Sequence, residues 1–331
     1  MKNVEDNLNN LNEKDYVVGI GAANLDIYGK SLIDLKPKYD HPSKISTSVG
    51  GVTRNVLCNL SLLKVKTLLL AAIGSDAFGK IIKEDCIKNN IDIEHIQILP
   101  NESSGVFIQI LDNNNDIHMA LCDMSVNKYI TVDYLKKNED ILKNAKIIFF
   151  DPSLPIDSIE YLLKYFGEKI YLDPMSDEYA KKIKPYLNKI YAIKPNKTEL
   201  EILSEKKINN EKELYEACDI LIKNGIKKIY ATLGDEGALL YSKNKKIKKK
   251  FKPIKDMANA SGAGDSFFAT VIFCEINGYN EEESLEFGMA AGMLTIKSNE
   301  TISQELSLDN LKKIVNNEKK YYMNFISIKS N

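Results

Sequence analysis

A chain of 331 residues with 44% hydrophobic residues and a formal net charge of −1 is long and apolar enough to fold as one large domain or two ordinary ones. The near-neutral charge argues against a nucleic-acid-binding protein, and no apolar run reaches the roughly 20 residues that a membrane helix needs. Five scattered cysteines and three dispersed histidines predict a cytoplasmic protein in a reducing compartment, without a zinc site.

The hydrophobic pattern alternates between strands and helices from Tyr16 onward. Residues 1–15 are polar and predict a disordered extension, so the domain is expected at 16–331. Strands are predicted at 16–29, 65–73, 145–150, 169–173, 189–194 and 227–233. Helices are predicted at 53–64, 77–88, 134–144, 156–166, 178–187 and 212–223. This order predicts an α/β fold with a doubly wound, mostly parallel sheet and helices on both faces.

Two segments break that rhythm. Residues 31–47 and 104–123 alternate between apolar and polar residues like antiparallel strands, and the second turns at Asn113–Asn115. We expect them to form a small antiparallel β lid, with strands from about 28–49 and 103–124. Farther along, the lysine-rich run at 243–255 predicts a solvated strand pair rather than a nucleic-acid contact.

Two glycine motifs suggest nucleotide loops that their context does not support. The run VVGIGAAN lacks the third glycine and the following helix of a dinucleotide-binding fingerprint. The run GSDAFGKI at 74–81 spells GxxxxGK, but Ile81 replaces the required hydroxyl residue, and Asp76 would place a carboxylate in the phosphate cradle. A turn capped by Asp76 is the favoured interpretation.

A third glycine motif has the context of an anion site. Gly262, Ala263 and Gly264 come directly before a strongly apolar helix, with Asp265 in its first turn. Helix N-terminal amides attract anions, and a neighbouring carboxylate can accept the proton of a hydroxyl group during phosphoryl transfer. Asp265 as a simple helix-stabilising acid is the alternative.

Four motifs together resemble the ribokinase-like (PfkB) carbohydrate kinase family over 16–307. They are GGVTRN at 50–55, KPNKTELEILS at 194–204, TLGDEG at 232–237 and ASGAGDSF at 260–267. The details are most similar to the pseudouridine kinase branch of that family. The resemblance implies the fold predicted above, together with ATP and Mg²⁺.

The resemblance also implies roles for individual residues. The catalytic set is Asp265 as base with the amides of Gly262, Ala263 and Gly264. The substrate set is Asp26, Asn24, Gly50, Gly51, Asn55 and Asp151, with Ser103, Ser104 and Met124 covering the nucleobase of the substrate. The nucleotide set is Asn196, Thr232, Gly234, Gly237 and Asn299. The metal set is Glu199, Asn196 and Asp173.

Several of these residues have a structural alternative. Asn196 and Glu199 could form a helix capping box, Asp173–Pro174 could be a strand-ending turn, and TLGDEG could be a hairpin turn. Arg54, the sole arginine, could fix the glycine turn or face the substrate. Asn259 replaces an aspartate that helps ribokinases hold a monovalent cation, so K⁺ activation stays open.

The expected function is ATP-dependent phosphorylation of the 5′-hydroxyl of pseudouridine. Another nucleoside or sugar kinase of ribokinase or fructokinase type is the first alternative, and a non-catalytic ligand-binding relative is the second. The expected partners are a small-molecule substrate and a second copy of the chain, as a homodimer through the lid sheet, with no nucleic acid and no membrane.

Overall fold

The structure is a computed structural model, and it describes residues 15–114, 116–253 and 261–329, with side chains as far as residue 320. The predicted extension therefore lies outside the described residues except for Asp15. The strands are β1 Tyr16–Ile20, β2 Asn24–Ser31, β3 Ser43–Gly50, β4 Lys66–Leu70, β5 Ala72–Gly74, β6 Ile91–Asp92, β7 Gln97–Leu99, β8 Gly105–Leu111, β9 Ile117–Asp123, β10 Ile147–Phe150, β11 Ile170–Leu172, β12 Ala192–Ile193, β13 Lys228–Thr232, β14 Ala238–Ser242 and β15 Lys246–Lys249. The helices are α1 Val52–Leu62, α2 Ala77–Lys88, α3 Val132–Lys137, α4 Glu139–Asn144, α5 Ile156–Phe166, α6 Asp177–Ile183, α7 Lys197–Ser204, α8 Glu211–Lys223, α9 Ala263–Ile276, α10 Glu281–Lys297 and α11 Leu308–Lys329. Over the described ranges, no helix has the length and apolarity to cross a membrane.

The main sheet has nine strands in the order β15-β14-β13-β12-β11-β10-β1-β4-β6. Every adjacent pair of strands between β13 and β6 in this spatial order is parallel. The pairs β13–β14 and β14–β15 are antiparallel. The chain winds outward in both directions from β1, so the order reverses there. Ligands of such sheets bind beyond the carboxyl ends of the strands near this reversal.

Two hydrophobic cores cover the two faces of the main sheet. Neighbouring residues of one strand, Val17 and Val18, enter different cores, as expected for a strand buried on both sides. Helices α1, α2, α9, α10 and α11 contribute to one core, and α3 to α8 contribute to the other. The doubly wound α/β prediction is confirmed.

The small sheet has four strands in the order β3-β2-β8-β9. Its outer pairs are antiparallel, as expected, but β2 and β8 pair in parallel, so the sheet is mixed. The predicted strand at 31–47 is wrong in its bounds. Residues 32–42 form the connection between β2 and β3, and the strands themselves lie at 24–31 and 43–50.

Other differences from the prediction have local causes. The apolar run at 16–29 is divided between the two sheets because Gly21, at φ +149°, redirects the chain. The helix predicted at 134–144 is interrupted at Asn138, whose amide donates to the Tyr134 carbonyl. The helix predicted at 178–187 ends at Ile183, since Pro185 lacks the N–H to continue it, and a 3₁₀ segment follows.

Candidate active site

The carboxyl edge of the main sheet gathers polar side chains from several elements. Asp173 follows β11, Lys194 follows β12, and Asp265 lies in the first turn of α9. All three are at least nine-tenths buried, with exposures of 3%, 6% and 8%. Charged groups at such depth require partners, so their mutual arrangement defines the chemistry available here.

Asp265 is the centre of this cluster. Its Oδ2 accepts a hydrogen bond of 2.9 Å from Nδ2 of Asn55, in the first turn of α1. Burial and then the charge of Asp173 raise the pKa of Asp265 to about 7, against the lowering effects of Asn55 and Lys194. A carboxylate with a pKa near neutrality is well suited to accept and release a proton.

The start of α9 contains the small residues expected of an anion site. Gly262 has φ +78°, and a Cβ there would lie 2.1 Å from the carbonyl oxygen of Thr301. A Cβ at Gly264 would lie 3.0 Å from Nζ of Lys194. Ala263 is the first helical residue, and no side chain of the described residues caps this helix. The helix start therefore presents amide groups beside a buried ammonium group.

Lys194 was not singled out from the sequence. Its Nζ lies 2.9 Å from Oδ2 of Asp173, and the charges of Asp173 and Glu199 raise its pKa despite burial. The other Asp173 oxygen accepts from the backbone N–H of Met175. The sequence signal that could have identified Lys194 is its position directly after a buried strand, because the carboxyl ends of parallel strands meet at one edge of the sheet.

Asn196 and Glu199 form the capping box that the structural alternative predicted. The Asn196 side chain accepts from the Glu199 N–H at 2.8 Å, and the Glu199 side chain accepts from the Asn196 N–H at 2.8 Å. Glu199 is nevertheless only 2% exposed, and burial followed by the charge of Asp173 raises its pKa to about 7. The capping role is confirmed, and it leaves one carboxylate oxygen of Glu199 outside the cap.

The buried charges allow a test of whether Mg²⁺ would fit. Within the described ranges, no three acidic, histidine or cysteine side chains converge as a complete metal cage. Mg²⁺ in kinases needs only one or two carboxylates, because phosphates and waters supply the remaining ligands. Asp173, Glu199 and Asp265 lie around the ammonium group of Lys194, and burial, followed by the charge of Asp173, raises the pKa of Glu199 and of Asp265 to about 7. The donor set therefore fits a hard cation.

The predicted nucleotide residues lie in adjacent loops. Asn196 forms an isolated parallel bridge with Thr232, so the capping box adjoins the β13–β14 hairpin. The TLGDEG segment is that hairpin turn, closed by a 2.9 Å bond from the Leu233 N–H to the Gly237 carbonyl. Gly234 has φ +57° with open space around its Cα, whereas a Cβ at Gly237 would meet the carbonyl of Lys249. Asn299 is exposed in the bend that follows α10.

Asp26 and its neighbours lie in the small sheet, near enough for the charge of Asp26 to raise the pKa of Asp265. Asn24 donates to Asp26 at 2.6 Å and Tyr28 donates at 3.2 Å. Burial raises the pKa of Asp26, and these two hydrogen bonds and the charge of Arg54 oppose the rise. A Cβ at Gly50 would lie 2.1 Å from Oδ2 of Asp26. Gly50 thus makes room for the Asp26 carboxylate, and Asn24 holds that carboxylate in place.

Two predicted substrate residues have their polar atoms engaged within the protein. Asp151 is fully buried and accepts from Ala22 N–H, Thr53 and both donors of Ser153. The Ser104 hydroxyl, on a residue that is 2% exposed, contacts Asp76 at 2.6 Å and Gly74 N at 3.0 Å. We therefore propose structural roles for both residues, and their predicted contact with substrate stays a prediction.

The remaining predicted lid residues lie at the base of the small sheet. Ser103 is exposed just before β8, and Met124 follows β9 with its Sδ against Gly105. Asp76 caps α2 by accepting from the Gly79 N–H at 2.7 Å, which confirms the turn predicted for GSDAFGKI. Asn259 lies outside the described residues.

Arg54 is 3% exposed and directed into the protein. Its NH1 donates to the Val49 carbonyl at 3.1 Å and to Oδ1 of Asn55 at 3.0 Å, and its NH2 pairs with Asp85 of α2. The bond to Val49 confirms the predicted contact with a carbonyl beside the glycine turn. The contacts with Asn55 and Asp85 were not predicted, because they depend on how α1 and α2 pack together.

Comparison with known proteins establishes the family. The model for "pfkB family carbohydrate kinase" matches residues 14–307. The chain therefore belongs to the pfkB family of carbohydrate kinases and is a phosphotransferase with a hydroxyl group as acceptor, as the motifs predicted.

Individual relatives are similar over most of their length. Pseudouridine kinase of Escherichia coli (strain K12) is 29% identical over 309 residues, which cover 93% of this chain and 98% of that protein. Ribokinase of Haemophilus influenzae is 26% identical over 258 residues, which cover 75% of this chain and 80% of that protein. The structure of Arabidopsis thaliana ribokinase complexed with ribose and ATP has a TM-score of 0.79 at 24% identity, covering 91% of this chain and 98% of that one. The last comparison confirms the ribokinase fold.

Proposed function

We propose that this kinase transfers the γ-phosphoryl group of ATP to the 5′-hydroxyl of a nucleoside, pseudouridine before others. The observation that supports a kinase reaction is Asp265, buried at the start of α9 with a pKa near 7 and a hydrogen bond from Asn55. A non-catalytic binding protein has no need of such a group.

The proposed reaction follows from the chain's own groups. The substrate oxygen bonds to the γ-phosphorus, the bond from that phosphorus to the β,γ-bridging oxygen breaks, and ADP leaves. Asp265 accepts the proton of the hydroxyl group, while the amides at Gly262–Gly264 and the ammonium of Lys194 lower the energy of the developing negative charge. Mg²⁺ bound with the nucleotide would neutralise phosphate charge, with Asp173 and Glu199 as the residues to hold it.

The inner face of the small sheet supports a nucleoside rather than a free sugar. In the register, Asp26 pairs with Phe107 and Phe107 pairs with Cys122, so the three side chains share one face. Tyr28 pairs with Gln109 one row farther out. An aromatic ring and a carboxamide beside a ribose-binding carboxylate can stack on a base and bond its edge. The likeness to E. coli pseudouridine kinase agrees with this reading, and the likeness to ribokinase keeps a sugar kinase as the alternative.

The test is product formation with pseudouridine, uridine, cytidine, ribose and fructose at equal low concentrations, with ATP and Mg²⁺. We expect kcat/KM for pseudouridine to exceed the others by at least about 10-fold, because a dry site that bonds its extra ring N–H rejects an analogue without it. A preference for ribose or fructose would leave a kinase with a different substrate. If the protein consumes no ATP with any of the five compounds, the non-catalytic alternative is favoured.

A pair of variants on one strand sharpens the test. Phe107→Leu should lower kcat/KM for nucleosides more than for ribose, since ribose has no base to stack. Ile108→Val changes the opposite face of the same strand and should leave the ratio unchanged. If both variants alter the ratio equally, Phe107 does not contact the base.

The outer face of the small sheet supports the proposed homodimer. Ile45 of β3 is 67% exposed, and Met119 and Leu121 of β9 are 49% and 55% exposed on the same face. Apolar residues aligned on one sheet face favour burial against a second copy. Leu121→Lys should convert a dimer to a monomer in light scattering, and an unchanged mass would exclude this face.

A K⁺ requirement and a cytoplasmic location remain proposals. Replacing K⁺ with Na⁺ in the assay tests the first, and cell fractionation tests the second.

A further inference from the structure

Arg54, the sole arginine of the chain, adjoins Asn55, the residue that donates a hydrogen bond to Asp265, the proposed catalytic base. Arg54 and Asn55 are consecutive in the first turn of α1, and both are buried. NH1 of Arg54 lies 3.0 Å from Oδ1 of Asn55, and Nδ2 of Asn55 lies 2.9 Å from Oδ2 of Asp265. A continuous hydrogen-bonded path thus joins the guanidinium to the carboxylate.

The chemistry of the amide makes this path directional. A guanidinium only donates hydrogen bonds, an ionised carboxylate only accepts them, and an asparagine amide has one end of each kind. With Arg54 on one side, Oδ1 of Asn55 must face the arginine, so Nδ2 must face Asp265. The opposite amide orientation would place two donors together and two acceptors together.

Arg54 is itself held from two other elements. NH1 also donates to the carbonyl of Val49 in β3, and NH2 pairs with Asp85 in α2. The planar guanidinium donates in fixed directions, which a lysine ammonium on a flexible stem does not reproduce. The arginine therefore sets the position of Asn55 relative to β3 and α2 as well as its amide orientation.

We propose that Arg54 is a positioning residue for phosphoryl transfer, which fixes the Asn55 amide so that Nδ2 holds the Asp265 carboxylate in its reactive orientation. The proposal rests on the proposed role of Asp265 as base. Other charged groups around Asp265 are Asp173, Lys194 and Asp26. Among the described residues, the side-chain bonds of the Asn55 amide go to Arg54 and Asp265. Arg54 is therefore the group that fixes the Oδ1 end of the amide, opposite the Nδ2 end at Asp265.

The kinetic test compares Arg54→Met, Arg54→Lys and Asp85→Asn. Arg54→Met should lower kcat by at least about 10-fold, somewhat less than deleting a donor that touches the reacting atoms, with KM values within about 2-fold of wild type. Arg54→Lys should recover part of the loss, because its ammonium can still donate to Oδ1. Asp85→Asn should lower the melting temperature but keep kcat, because its side-chain oxygen can still accept from NH2. A double variant with Asn55→Ala should show no further loss from Arg54→Met.

A second measurement does not depend on activity. The Asn55 side-chain NH₂ signal, assigned by its absence in Asn55→Ala, should be shifted and protected from exchange in the wild type and averaged in Arg54→Met. An unchanged Asn55 signal in Arg54→Met, or a loss of stability with kcat intact, would overturn the proposal, as would a rise in KM alone. If Arg54→Met does not fold, the Asn55 signal in Arg54→Lys should be shifted partway toward the averaged position, and a signal identical to that of the wild type would overturn the proposal. Because the signal needs no substrate, the positioning role is tested even if the proposed reaction is wrong.

Discussion

Two helices of this protein begin at glycines, and the two helix starts differ in what the glycines contact. Helix α1 follows Gly51, at φ +97°, and α9 follows Gly262, at φ +78°. Neither helix has a side-chain cap from the described residues. In the sequence, GGVTRN and SGAGDS both place glycine directly before a helix.

At α1 the space beside the glycines is filled by the protein itself. A Cβ at Gly51 would lie 2.3 Å from the carbonyl oxygen of Ala22, and a Cβ at Gly50 would meet the Asp26 carboxylate. At α9, a Cβ at Gly262 would likewise meet backbone, the carbonyl oxygen of Thr301, but among the described residues a Cβ at Gly264 would meet the end of the flexible Lys194 side chain. The two starts therefore differ at Gly264, where a cationic side chain rather than backbone adjoins the glycine, as an anion site requires.

The two starts are nevertheless joined in one site by the bond from Asn55 to Asp265. Helix α1 contributes the Asn55 donor, and α9 contributes the carboxylate of the proposed catalytic base and the amides. We infer that substitutions at the start of α1 act first on stability or orientation, and those at the start of α9 act first on chemistry.

The largest expected effect is that of Asp265→Asn. Removal of the proposed base should lower kcat by about 10²–10⁴-fold with nucleotide and substrate binding retained, which is the usual contribution of a positioned base. Asp151→Asn is the matched control, because it makes the same change at a buried structural carboxylate. It should lower the melting temperature and leave the kcat of the folded enzyme nearly intact. Near-normal turnover by Asp265→Asn would remove that residue from the base role.

A matched pair of glycine substitutions tests the comparison directly. Gly51→Ala should destabilise the fold by about 1–3 kcal/mol, since its φ is unfavourable for alanine and its Cβ meets rigid backbone. Gly264→Ala should leave stability close to wild type and lower kcat by about 10-fold, because the new methyl displaces Lys194 and narrows the anion site. Thermal melts and steady-state kinetics on both variants give the answer. Equal losses of stability would mean that the two helix starts are equivalent.

The accuracy of the structure predicted from the sequence differs from one element to the next. Helices 77–88 and 156–166 were predicted with the bounds observed, because their apolar period is strong and Asp76 or Pro155 marks the start. The parallel pairing of β2 with β8 could not be predicted, because it joins strands that are some 80 residues apart in sequence, and local patterns do not specify such partners.

The candidate site shows the same division. Asp265 and its glycines were recognised from a local motif, and the capping box at Asn196 was predicted from its spacing. The substrate role predicted for Asp151 and Ser104 stays a prediction, because a polar residue at a strand end is equally suited to bind a ligand or to fix neighbouring backbone. Lys194 and the Arg54–Asn55 contact depend on packing between distant elements, which no local pattern records.

A smaller effect is expected at the proposed metal site. There a substitution can separate the two roles of Glu199, which are helix capping and Mg²⁺ binding. Glu199→Gln should raise the Mg²⁺ concentration for half-maximal rate several-fold, because a hard cation loses an anionic ligand. It should preserve stability, since glutamine also serves at this position of a capping box. Asn196→Ala removes the cap and should cost about 1 kcal/mol of stability. An unchanged Mg²⁺ dependence in Glu199→Gln would leave only the capping role.

The smallest expected effect concerns stability and its pH dependence at the start of α9. The pKa of Asp265 is raised from 3.8 to about 7, so the folded protein binds a proton more tightly than the unfolded chain between these pH values. Its contribution to stability is therefore greatest at low pH and declines as pH rises from about 4 to 7. Asp265→Asn removes the ionisable group and should raise the melting temperature at pH 8 by a few degrees, while the difference at pH 5 should be small.

The control for this last prediction is again Asp151→Asn, at a carboxylate that four protein donors satisfy. Asparagine has one acceptor oxygen for these four donors, so the lost hydrogen bonds should destabilise this variant at both pH values. Melting curves of the wild type and the two variants at pH 5 and pH 8 therefore distinguish a carboxylate held for chemistry from one held for structure. If Asp265→Asn lowers the melting temperature at pH 8 as Asp151→Asn does, the Asp265 carboxylate stabilises the fold, and its placement at α9 does not involve a stability cost in favour of reactivity.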